Sequence, residues 1–145
     1  MPGKSLLART VIAAIASIGA LVLAIGLSSP AGASVKRQTC RNAYVSTTGA
    51  WGSARICWTS LGGRFYKASA NGTVKDTKGD GKRAALFVHT WNKKGRSWTP
   101  RLALATKKGQ VRYGKWSNSK VKHGVYIYVC RVDRFNTTYN CSRNG

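Results

Sequence analysis

From residue 34 onward the chain is built of short runs in which apolar and polar residues alternate. The clearest is Val125-Tyr126-Ile127-Tyr128-Val129-Cys130-Arg131-Val132. In an extended strand Val125, Ile127 and Val129 share one face, and Tyr126, Tyr128 and Cys130 share the other. The first set predicts a row facing the core, with the tyrosines flanking it. Ala54, Ile56 and Trp58 alternate with Arg55 and Cys57 in the same way, which predicts one buried face with Trp58 in the core. Ala84–Val88 is apolar without alternation, the pattern of a central strand covered on both sides.

No helical period is present after residue 34. The β-prone runs are separated by Gly, Asn and Lys, and predict strands at Ala43–Thr47, Ala54–Thr59, Arg64–Ala68, Ala84–Thr90, Trp98–Ala105, Gln110–Trp116 and Val125–Val132. Short edge strands are expected near Thr73–Asp76 and Thr137–Cys141. Connections this short leave no room for crossover helices, so the strands pair antiparallel. The predicted fold is an all-β sandwich, with a small barrel as the alternative.

The N-terminus follows a different pattern. Lys4 and Arg9 precede an uncharged run from Val11 to Leu27, then Ser28-Ser29-Pro30 and the small triplet Ala31-Gly32-Ala33. This is the layout of a cleavable secretory signal. It predicts a signal peptide over 1–33 and a single secreted β-domain over 34–145. Retention as a membrane anchor is the alternative; the 17-residue run lies at the short limit for a span, and Pro30 and the Ala-x-Ala site favour cleavage. The domain is therefore expected outside the cell or in the cell wall.

That address changes how the cysteines read. Cys40, Cys57, Cys130 and Cys141 all lie after the signal, and an even number in a small exported domain implies two disulfides. Cys40–Cys57 with Cys130–Cys141 joins near neighbours and is favoured; Cys40–Cys130 with Cys57–Cys141 is the alternative. No Cys-x-x-Cys pair is present, which argues against a metal site.

Charge changes the picture again. Of 25 basic residues only Lys4 and Arg9 belong to the signal, so 23 remain against Asp76, Asp80 and Asp133, a net +20 with no Glu. Such an excess suits a polyanion: nucleic acid, teichoic acid, acidic polysaccharide or an anionic envelope surface. The candidate contacts are Lys93, Lys94, Arg96, Lys107, Lys108, Arg112 and Lys115. Lysines beside turn glycines also discourage edge-to-edge pairing of strands, a purely structural use. Trp91 and Trp98 bracket Asn92–Ser97, and Trp116 follows Arg112, Tyr113 and Lys115. Aromatics interleaved with cations stack on bases or sugars while the cations hold phosphates, so these three are the candidate aromatic contacts.

The inventory argues against most hydrolases. There is no Gly-x-Ser-x-Gly elbow. Without Glu, only Asp76 and Asp80 could form a carboxylate pair, and both lie in one polar loop. That loop, Asp76-Thr77-Lys78-Gly79-Asp80-Gly81, resembles half a calcium site but sets Lys78 where an oxygen is needed and Phe87 at the twelfth position. Its aspartates are expected to cap local backbone amides instead. His89 and His123 are the only histidines, and could serve as base and acid of a secreted nuclease. Against that, His89 falls in a presumed core strand and His123 in a turn.

Three stretches carry a resemblance: Gly52-Ser53-Ala54-Arg55-Ile56-Cys57-Trp58, Val74 to Ala84, and Val129-Cys130-Arg131 with Cys141 beyond. In these the chain resembles a loose group of small secreted actinobacterial β-rich proteins of unknown function. The resemblance implies a secreted β-sandwich and supplies no catalytic residues; the high lysine content departs from it. The expected function is that of a monomeric, cofactor-free, non-enzymatic binder of anionic polymers or cell surfaces, with an antimicrobial or toxin role as one outcome. A nuclease using His89 and His123, and a structural cell-wall protein, are the alternatives.

Overall fold

The computed structural model describes residues 36–144. The predicted signal, 1–33, lies outside the described residues. Eight strands form, in the order β1 (Thr39–Thr47), β2 (Ala50–Gly62), β3 (Phe65–Asp76), β4 (Arg83–Asn92), β5 (Ser97–Trp98), β6 (Arg101–Ala105), β7 (Val111–Val132) and β8 (Thr138–Arg143). All pairings are antiparallel, along β1-β2-β3-β7-β4-β5, with β6 on β4 and β8 on β7. The sheet does not close into a barrel.

The 22-residue β7 makes two layers out of one sheet. Val111–Lys122 pairs with β3. Beyond His123 and Gly124 the strand returns, and Val125–Val132 lies between β4 and β8. His123 takes a left-handed backbone, φ 61°, and forms the corner. The inner faces of the two layers meet in one core that includes Ala43, Ile56, Ala70, Val74, Leu86, Val88, Ile127 and Val129. Each fully buried Ile or Leu contributes on the order of 1.5–3 kcal/mol. Val125, Ile127 and Val129 are all buried, as their alternation predicts, and Trp58 packs against the core as a partly buried side chain.

Small residues let the layers approach. Gly52 and Gly72 lie under Leu86, whose methyls would be 2.8 Å and 3.0 Å from a Cβ at each. At Gly114 the approach is closer: the Leu102 carbonyl of β6 occupies the space a Cβ would need.

Two predicted breaks are absent. Phe65–Ala68 and Thr73–Asp76 belong to one strand, β3, because Asn71-Gly72 pairs with Arg55 and Ala54 instead of turning, while Arg64, expected to begin the first of these runs, is a left-handed turn residue. Gln110–Trp116 and Val125–Val132 belong to β7, whose polar Ser117–Lys120 stretch stays extended beside β3. Conversely, Trp98–Ala105 divides at Thr99-Pro100. Pro100 has no N–H for the ladder, and its carbonyl accepts the Val88 amide at 2.9 Å.

Both disulfides follow the near-neighbour pairing. Cys40–Cys57 links directly opposed residues of β1 and β2, and Cys130–Cys141 clips β8 to β7. Restricting the unfolded chain over loops of this length contributes roughly 3 kcal/mol each.

Asp133 organises the β7–β8 loop. Its carboxylate accepts the Phe135 and Thr137 amides, both at 2.9 Å, and the Tyr139 hydroxyl at 3.1 Å. Desolvation works to raise its pKa, but these hydrogen bonds outweigh it and hold the carboxyl below its ordinary 3.8. A depressed carboxyl stabilises the folded loop above the unfolded value and loses that contribution as pH falls through the folded one. Amide-exchange protection of Phe135 and Thr137 is thus expected to hold at about pH 5 and to fall on further acidification. In Asp133→Asn that acid-dependent step should vanish; an unchanged step would assign it to another group.

Candidate functional site

All three carboxylates are engaged in structure, and at one end of the sandwich. Asp76 is 1% exposed and its Oδ1 accepts the Lys78 amide at 3.0 Å. Asp80 accepts the Lys82 amide at 3.2 Å and pairs with Arg131, a guanidinium only 2% exposed that crosses Gly49 of the β1–β2 turn. Both aspartates thus cap local amides, as their loop predicts. Asp133 begins the loop after β7 at this same end, since Val132 pairs with Arg83 at the start of β4. Of the 23 described basic side chains, only Lys78 and Arg131 reach a carboxylate.

Three of the other cations, Arg55, Lys75 and Lys115, stand among aromatic residues on one face. The register of β1, β2, β3 and β7 sets side chains in rows across the outer face of the first layer. One row is Tyr44–Ser53–Thr73–Tyr113; the next is Asn42–Arg55–Asn71–Lys115; a third is Ser46–Trp51–Lys75–Val111. These residues alternate with the buried Ala43, Val45, Ala54, Ile56, Ala70 and Val74, so parity holds them outward. Tyr44 is 67% exposed, Tyr113 56% and Trp51 38%. Arg55, Lys75 and Lys115 are exposed among them, and the Lys115 ammonium lies 5.7 Å from the Tyr113 ring. Ser53 and Thr73 hydroxyls are bonded to each other at 3.1 Å. A shallow groove of about 220 Å³ runs between Tyr44 and Tyr113. Three strand spacings separate the two rings, roughly 14 Å.

The predicted contacts divide. Lys115 belongs to this face. Arg112, three residues earlier on β7, has the opposite parity, opposite Val74, and is exposed. Lys93, Lys94 and Arg96 form the β4–β5 turn, which Asn92 builds by accepting the Lys94 and Arg96 amides at 2.9 Å and 3.1 Å. Lys107 and Lys108 form the β6–β7 turn, where the Gly109 amide donates to the Asp76 carbonyl at 2.7 Å. The two turns flank opposite ends of the ten-residue β4, roughly 30 Å apart, so one small ligand does not bridge them.

The tryptophans divide too. Trp116 packs against the core, 6.1 Å from the exposed Trp98. Trp91 lies half-buried on the outer face of the second layer, edge-on to His89 at 4.8 Å and to His123 at 5.6 Å. The bend of β7 therefore brings both histidines to one indole. His89 Nδ1 is 2.8 Å from the Thr99 hydroxyl. Among the described residues no three His, Cys, Asp or Glu side chains gather as a metal site would require. Sequence reasoning missed Tyr44, Trp51, Arg55 and Lys75 as partners. The alternation of Trp51, Ser53 and Arg55 against buried Ala54 and Ile56 was the available signal.

Comparison of the chain with protein-family profiles, curated proteins and solved structures found no match.

Proposed function

We propose that the protein is an exported, non-enzymatic domain that binds anionic polymers or anionic cell surfaces through the outer face of its first layer. The observation that carries this reading is the row structure of that face. Tyr44, Trp51 and Tyr113 stand in solvent beside Arg55, Lys75 and Lys115, with no carboxylate among them. Aromatic rings held out of the core lose burial energy, and a polymer that stacks on them restores it. The cations hold the phosphates, sulfates or carboxylates of the same polymer by releasing its counterions. Nucleic acid, teichoic acid and acidic polysaccharide all meet that description. The leader-like N-terminus and the two disulfides support an address outside the cytoplasm.

The mature domain should be retained on immobilised heparin and on single-stranded DNA at low salt, and elute steeply as salt rises. Lack of retention at low salt would overturn the reading.

One observation favours a second reading. His89 and His123 share Trp91, so a secreted nuclease using the two imidazoles has a geometric basis. It requires RNA cleavage that falls about a hundredfold or more in both His89→Ala and His123→Ala, the usual weight of a general acid or base. Cleavage that survives both substitutions would remove it.

A further inference from the structure

Among the described residues, the end of the sandwich opposite the three carboxylates is open. There the layers part beneath the β7 corner, leaving a cavity of about 570 Å³. Its lining includes Arg41, Trp58, Arg64, Tyr66, His123 and Tyr126. The volume is that of an ordinary small-molecule pocket.

The lining is unusual for the mouth of a core. Trp58 and Tyr66 come from the inner faces of β2 and β3 and pack on the core at one side, leaving the other side to the cavity. Arg41 donates from Nη2 to the Val125 carbonyl at 3.1 Å, and its guanidinium carbon lies 5.9 Å from the Tyr126 ring. That bond uses one of five N–H donors and fixes the plane of the rest. Arg64 and His123 form the rim, and both adopt a left-handed backbone, φ 69° and 61°. A non-glycine residue is uncommon there. The His123 amide donates to the Arg64 carbonyl at 3.3 Å, so the two strained residues hold each other. Strain of this kind gathers where a side chain must be presented in a set direction.

We infer that this cavity binds a small molecule of mononucleotide size in which a planar ring is joined to an oxyanion. Trp58, Tyr66 and Tyr126 take the ring. Arg41 and Arg64 take the oxyanion as charge-assisted donors, phosphate or carboxylate alike. Among the described residues no carboxylate lines the cavity to compete for them. The site is separate from the polymer-binding face, whose Arg55, Lys75 and Lys115 do not line it.

The test is calorimetric titration of the disulfide-bonded domain with four probes: adenosine 5′-monophosphate, indole-3-carboxylate, adenosine and inorganic phosphate. Saturable one-to-one binding of at least one ring-bearing anion is expected, with adenosine and phosphate weaker. A preference between the two anions identifies phosphate or carboxylate as the group held. Arg64→Gly suits the left-handed backbone and so keeps the fold; it should weaken binding about tenfold or more, the worth of a charge-assisted hydrogen bond. The Trp58 indole N–H should shift in NMR spectra on binding, and the Trp51 indole should not. Failure of both anions to bind, equal binding of inorganic phosphate, or an unchanged Arg64→Gly affinity would overturn the site. Heparin retention of Arg64→Gly should stay nearly unchanged, so loss of this site and loss of the polymer-binding reading are separate results.

Discussion

Gly114→Ala is expected to cost the domain about 4 kcal/mol or more, at the extreme of single substitutions. The reason is the atom that stands in the way. A Cβ at this position falls on the Leu102 carbonyl, with the carbonyl carbon at 2.6 Å. A side chain in the path could rotate; a strand backbone cannot. Relief requires β6 to leave β7, which would also pull Leu102, Ala103 and Ala105 out of the core. Denaturant unfolding with both disulfides intact measures the loss. Two other glycines calibrate it. At Gly52 the obstacle is the end of a flexible Leu86 side chain, so Gly52→Ala should cost about 1–3 kcal/mol, the usual overpacking penalty. Gly81 has positive φ and open space around it, so Gly81→Ala should cost only the left-handed strain of about 1–2 kcal/mol. If Gly114→Ala proved no worse than Gly81→Ala, the close packing of β6 on β7 would be wrong.

The second large effect concerns binding. Replacing Arg55, Lys75 and Lys115 together by Glu is expected to weaken single-stranded DNA binding about a hundredfold at moderate salt. It should also lower the slope of log affinity against log salt by about 2, three contacts at roughly 0.7 each. All three side chains are exposed and outward, so their replacement should leave the fold intact. Tyr44→Ala with Tyr113→Ala removes two stacking platforms, each worth about 1–3 kcal/mol to a base. That pair should weaken DNA binding with almost no change in salt slope. The control is the β4–β5 turn, where Lys93, Lys94 and Arg96 are changed to Glu. A loss equal to that of the face would mean that the whole surface shares the affinity, and the face would lose its special role.

Much of the fold is legible in local pattern. Val125, Ile127 and Val129 announce their burial by alternation alone, because a strand offers only two faces. The near-neighbour disulfides are legible because each pair of cysteines falls on adjacent antiparallel strands. The aspartates of the 76–81 loop behave as side chains of that type do in turns. What escapes is whatever depends on distance along the chain. Asn71-Gly72 carries a turn signature, yet Gly72 is there because Ser53 and Leu86 press against it. Ser117–Lys120 looks like a loop, yet it remains strand because β3 pairs with Ser117 and Asn118 and the Asn118 side chain accepts the Lys120 amide across the bulge. The site follows the same division. Lys115 is recognisable as an exposed cation, but only the register with Asn71, Arg55 and Asn42 makes it part of a row. His89 and His123 are 34 residues apart, and only the bend in β7 sets both against Trp91.

That bent strand has a further consequence. β7 carries ladder hydrogen bonds to β3 in one layer and to β4 and β8 in the other. Neither layer can open while its neighbour stays whole, because the two have a strand in common. The domain should therefore unfold as one cooperative unit, with hydrogen exchange of the amides in both arms of β7 reporting the same global opening. Most of its pairings are between distant residues, so loop closure must come before any reward and folding belongs to the slow, millisecond-to-second regime. The corner at His123 and Gly124 thus ties the survival of each layer to that of the other.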